Sequence, residues 1–177
     1  NMDTEEEGYL MVSCCGGRRM RMYLPVEREA ASAEKKTFAI RIRGLKGGHS
    51  GADIHLQRAS ANVLMGRLLL ELREKIGYDL VKVNGGNMDN AICREAEAIV
   101  MIDSTKEAEA KELISELQKM FWAEYKDRES DILMTMEEIE GAAEVLTAEV
   151  RDHIIALLTL LPYGVQTMDT NMEGLVE

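Results

Sequence analysis

One histidine stands among glycines in the segment Gly44-Leu45-Lys46-Gly47-Gly48-His49-Ser50-Gly51-Ala52-Asp53-Ile54-His55. Glycines permit positive φ and close approach of the backbone. The ring of His49 is therefore free to face a ligand, where imidazole can donate or accept a proton near neutral pH. A Gly-rich turn with an exposed histidine is the plainer reading of the same residues. A second loop, Asn84-Gly85-Gly86-Asn87-Met88-Asp89-Asn90-Ala91-Ile92-Cys93-Arg94-Glu95-Ala96, holds Asn90. Its amide can donate to a carboxylate without adding charge, and it also suits a simple turn. Near the start lie the acids of Asp3-Thr4-Glu5-Glu6-Glu7-Gly8. On composition alone they are a solvated run at a terminus.

The surrounding elements must position these residues. Lys35–Leu45 alternates as a strand, with Phe38, Ile40 and Ile42 on one face. A helix is expected over about Leu56–Ile76, with a broad apolar face meant for a sheet. Gly66 weakens that helix, so close packing against a strand is its expected compensation, and Gly77 is a suitable stop. Leu80–Val83 reads as a strand, and Ala91–Asp103 as two strand pieces. Ser104 with Glu107 forms a capping box for a second helix that carries Ala110, Ile114, Leu117, Phe121 and Tyr125 inward. Asp131–Ile139 reads as a strand. The order strand–helix–strand–strand–helix–strand is the split βαβ, ferredoxin-like arrangement. A third helix over Thr147–Leu161 turns Val150, Ile154, Leu157, Leu158 and Leu161 inward, and Val165–Met168 reads as the start of a strand. Upstream, Tyr9–Ser13 and Met20–Arg28 are strand-like, with Gly16-Gly17 as a turn. The fold class is α+β, a mostly antiparallel sheet with helices on one face.

Composition removes several classes. The 177 residues are 46% hydrophobic and 30% charged, which suits a globular domain with a real core. A net charge of −11 repels phosphate backbones and anionic membrane surfaces, so neither nucleic acid nor membrane is an expected partner. The longest apolar run, Ile154–Leu161, is too short to span a bilayer. Cys14, Cys15 and Cys93 show no pairing or zinc-ribbon spacing, a reduced, cytoplasmic pattern. His55, His153, Trp122 and the methionines read as structural.

The Asp3 segment, the His49 loop, the Asn90 segment, Leu161-Pro162-Tyr163-Gly164-Val165 and Gly174-Leu175-Val176-Glu177 follow one another along the chain. Together they resemble the dinuclear zinc amidohydrolases that include aminoacylases, carboxypeptidases and dipeptidases, and among these the dipeptidases that cleave Xaa-His dipeptides. The resemblance implies that His49 helps stabilise the oxyanion, in its own or the partner subunit. It implies that Asn90 helps hold the substrate and that Asp3 ligates one of two zinc ions. Cys93 departs from the proline common in the family segment Asn-Ala-Ile-Pro-Arg-Glu-Ala.

The same resemblance implies that this chain is a piece of a metallo-dipeptidase. The family's catalytic domain supplies a His-x-Asp pair, which is absent here, and a Glu-Glu pair; Glu137-Glu138 lies in the wrong region. Residues 1–17 then form the end of a catalytic-domain segment and a linker strand. Residues 18–177 form most of a lid domain for substrate binding and dimerisation, truncated at its C-terminal end. The expected partners are a dipeptide, the catalytic domain and a second copy. The chain alone is expected to bind no zinc and to turn nothing over. A different class of reading is a stand-alone ferredoxin-like module for ligand binding or dimerisation.

Overall fold

The computed structural model describes residues 7–8, 10 and 18–171. In chain order they form β1 (Arg28–Ala30), β2 (Lys35–Arg43), β3 (Gly48–His49), α1 (Ala61–Lys75), β4 (Asp79–Gly85), β5 (Ala91–Ile92), β6 (Ala96–Asp103), α2 (Glu107–Tyr125), β7 (Leu133–Glu138), β8 (Glu144–Leu146) and α3 (Ala148–Leu160). The main sheet runs β4-β6-β2-β7 with every neighbour antiparallel. With α1 and α2 as the connections, this is the expected split βαβ order.

Alternation on β2 builds the core. Phe38, Ile40 and Ile42 are fully buried and pair in register with Val100, Ala98 and Ala96 of β6. Leu64, Met65, Leu68, Leu69 and Leu72 of α1 and Leu113, Ile114, Leu117 and Phe121 of α2 join the same apolar cluster. Each such side chain contributes roughly 1.5–3 kcal/mol by leaving water. The opposite face of β2 buries Thr37 and Ala39 and then turns charged at Arg41. There Arg41 reaches Glu97 at 2.7 Å and Glu137 at 2.6 Å.

The structure corrects several expectations. Of Met20–Arg28, only Arg28 enters a strand, and it pairs with Leu146 in a two-stranded ribbon β1-β8. Apart from Leu10, the expected strand over Tyr9–Ser13 and the Gly16-Gly17 turn lie outside the described residues. The first helix begins at Ala61, because Gln57 takes a left-handed φ of 50° after the 3₁₀ turn Ile54–Leu56. Gly66 packs on a helix instead of a strand: a Cβ there would lie 2.6 Å from Leu158 Cβ of α3. The cap of the second helical segment is Asp103, one residue before Ser104. Its carboxylate accepts the Thr105 N–H at 2.8 Å and opens a 3₁₀ turn that runs into α2. On α3, Ile155 is buried while Leu161 is 48% exposed, since the chain leaves the helix there. Val165–Met168 forms no strand. Trp122 is half exposed on α2 and contributes little to the core.

Candidate functional site

The His49 and Asn90 loops leave different strands of the main sheet and meet as a small ribbon of their own. Gly48 pairs with Ile92 and His49 with Ala91, antiparallel. The Ser50 N–H extends this ladder to the Asn90 carbonyl at 2.9 Å. Sequence reasoning singled out both residues; the fold brings them side by side on an exposed rim.

Local geometry explains the glycines. Gly47 has φ +65°, and a Cβ there would fall 2.2 Å from Arg94 Cγ. A Cβ on Gly48 would meet Asp53 Oδ2 at 2.6 Å and Arg58 Nη1 at 2.7 Å. Arg94 in turn donates to the Leu45 carbonyl at 3.2 Å, tying the two loops again.

The imidazole is oriented by backbone. His49 Nδ1 accepts the N–H groups of Gly51 and Ala52, each at 3.0 Å. A ring nitrogen that accepts carries no proton, so the neutral ring holds its proton on Nε2. Among the described residues Nε2 makes no hydrogen bond, and His49 is exposed, which leaves a free N–H donor. The Asp53 carboxylate accepts the His49 N–H at 2.8 Å, and the Asp53 N–H returns to the His49 carbonyl at 3.0 Å. The Asn90 side chain is exposed and is likewise uncommitted among the described residues.

Cys93 plays a packing part. It is buried, its thiol donates to the Glu95 carbonyl at 3.2 Å, and burial pushes the thiol pKa up, the reverse of nucleophile activation. Its carbonyl accepts the Ala61 N–H at 2.9 Å, so the Asn90 loop also receives the first turn of α1. A concavity of about 550 Å³ opens behind this loop, lined among others by Arg41, Arg43, Asn84 and Arg94; neither His49 nor Asn90 lines it.

Two residues at the site were given no role by the sequence reading, although Tyr163 lies in a segment it quoted. Glu129 is 1% exposed and accepts the N–H groups of Lys46 and Ala59 at 2.8 and 3.0 Å. It sits in the charged run Lys126–Asp131, whose composition signals a solvated turn. The Tyr163 hydroxyl donates to the Arg58 carbonyl at 2.9 Å, and burial pushes its pKa up to about 12. Asp3 lies outside the described residues. Among the described residues, no group of three His, Cys, Asp or Glu side chains fits a metal ion, and His55 and His153 are exposed.

The chain is 35% identical, over its full length, to the cytosol non-specific dipeptidase of Escherichia coli (strain K12), of which it covers 36%. The crystal structure of aminoacylhistidine dipeptidase from Vibrio alginolyticus superposes with a TM-score of 0.84 at 35% identity, covering 87% of this chain and 31% of that one. The chain thus spans about a third of the length of these relatives. The family described as the peptidase dimerisation domain matches residues 40–129, which hold the second half of β2, all of β4 and β6, the helices α1 and α2 and the His49 and Asn90 loops; the chain belongs to that family.

Proposed function

We propose that this chain is the lid of a zinc dipeptidase cleaving Xaa-His-type dipeptides, with His49 as the oxyanion donor and Asn90 as a substrate contact. Residues 1–17 are then the end of the catalytic-domain segment and residues 18–177 the lid. The observation that carries this reading is the His49 ring itself. Two backbone N–H groups occupy Nδ1, Nε2–H has no partner among the described residues, and the exposed His49 pairs in the ribbon beside the Asn90 loop. A donor fixed before reaction stabilises developing negative charge without reorganising. The Asn90 amide, exposed one ribbon position away, would hold a substrate carboxylate in this reading.

The described residues do not fit a zinc site, so metal chemistry in the whole enzyme would depend on its catalytic domain, with Asp3 the single ligand proposed from this chain. This chain alone should not hydrolyse dipeptides when zinc is added. A homodimer belongs to the same reading: no strand among the described residues pairs with the outer edge of β7, where Gln118 Oε1 takes the Met134 N–H at 2.7 Å and the rest of the edge is left to a second copy. No described helix is long and apolar enough to cross a membrane, and a cytoplasmic location is part of the proposal.

The test is His49→Ala in the full-length protein that carries this chain. Loss of one oxyanion donor should lower kcat by roughly 10²–10³-fold. Dipeptide turnover at the wild-type rate would refute the donor role.

A further inference from the structure

Both ends of the His49 loop are tied to one buried acid. Glu129 follows the last turn of α2, with its own N–H bonded to the Tyr125 carbonyl at 2.7 Å. One carboxylate oxygen accepts the Lys46 N–H at 2.8 Å and the other accepts the Ala59 N–H at 3.0 Å. Lys46 and Ala59 bracket the segment that holds His49. A single side chain therefore closes that loop at its neck.

Burying a carboxylate is costly unless hydrogen bonds replace its water. Here both oxygens bind backbone amides. An apolar side chain could fill the same space, but it would not hold two main-chain segments in register. From the neck, further bonds run outward to the ring. Arg58 Nη1 donates to the Gly47 carbonyl at 2.5 Å and lies 3.8 Å from the Asp53 carboxylate. That carboxylate accepts the His49 N–H at 2.8 Å. The Tyr163 hydroxyl fixes the Arg58 carbonyl at 2.9 Å.

We infer that Glu129 is a positioning residue for His49: by clamping Lys46 and Ala59 it sets the loop geometry in which Nδ1 accepts the Gly51 and Ala52 N–H groups and Nε2–H stays a free donor. This inference rests on the donor role proposed above for His49. Glu129 itself touches neither substrate nor reacting atoms. Its effect should reach catalysis only through His49.

The experiment compares Glu129→Gln, Glu129→Asp, His49→Ala and the His49→Ala/Glu129→Gln pair in the full-length protein. Steady-state kinetics is combined with NMR of ¹⁵N-labelled histidine rings, the His49 signal being assigned by its loss in His49→Ala. Gln keeps one acceptor but turns an amide donor toward the other backbone N–H. Its kcat should fall roughly 10- to 100-fold, as for a small misplacement of a catalytic group, with a smaller change in KM. The His49 Nδ1 signal should lose its acceptor character. The double variant should be no slower than His49→Ala alone, because residues acting through one another are not additive. Glu129→Asp, which keeps the charge but withdraws it by one methylene, should fall between wild type and Gln, and it carries the test if Gln does not fold. Wild-type kcat with unchanged His49 signals would overturn the inference. So would a kcat loss that multiplies with that of His49→Ala. If His49→Ala alone leaves kcat unchanged, the donor role fails instead, and the ring signals still decide whether Glu129 sets the imidazole.

Discussion

The main sheet with its helices and the rim of paired loops are held by different forces. Phe38, Ile40, Leu68 and Phe121 sit in the apolar layer with no solvent exposure, and their stabilisation is non-directional. Around His49 the contacts are directional: amide to imidazole, amide to carboxylate, strand to strand. Damage to the first region should lower stability and leave site geometry intact in whatever remains folded. Damage to the second should displace the ring at a smaller cost in stability.

The largest expected effect is Phe121→Ala. Phe121 is fully buried, and Arg67 stacks over its ring at 4.6 Å from the centroid. Truncation should cost about 3–5 kcal/mol of unfolding free energy, measured by denaturant titration. The His49 ring signals of the folded fraction should not move; if they do, the two regions are not separable. Gly47→Ala sharpens the contrast. A non-glycine residue at φ +65° costs about 1–2 kcal/mol, and the new Cβ would push on the Arg94 side chain that ties the loops. Its main readout should be altered His49 ring signals, with a loss of stability well below that of Phe121→Ala.

The smallest effect concerns pH. Hydrogen bonding to Arg151 first, and then to Arg73, holds the Asp152 carboxyl below the usual carboxylate range. A lowered folded-state pKa means that the unfolded chain takes up the proton first on acidification. The stabilisation is therefore present above the usual carboxylate range and lost as pH falls through the folded-state value. Asp152→Asn should lower Tm slightly at neutral pH, and the gap from wild type should close in acid. Asp152 is 44% exposed at its side chain, so solvent screening keeps the gap small. A gap that widened in acid would contradict the sign.

These differences in force also decided what could be read from the chain. The β2 alternation, the apolar faces of α1 and α2 and the left-handed stop at Gly77 (φ +76°) are local patterns, and they fixed the ferredoxin-like order. The start of α1 was not local. Ala59 gives its N–H to Glu129, and the Arg58 guanidinium binds the Gly47 carbonyl, so tertiary bonds hold this stretch outside the helix that its apolar period suggested. Gly66 was legible as a close approach, but its partner, Leu158, lies far away in sequence. His49 and Asn90 stood out as residue types in glycine-rich loops, whereas their pairing through β3 and β5 needed coordinates. Glu129 gave no signal, because a buried acid in a charged run looks like a solvated one.

The β3–β5 ribbon has a consequence for protein engineering. Residues 47–58 cannot be transplanted alone onto another ferredoxin-like scaffold, since His49 would arrive without Ala91 opposite it and without the Asn90 carbonyl that receives Ser50. The two loops form one cassette. A graft that keeps the ring direction must carry both loops, and their recipient must place the two insertion points as β2 and β6 place them here.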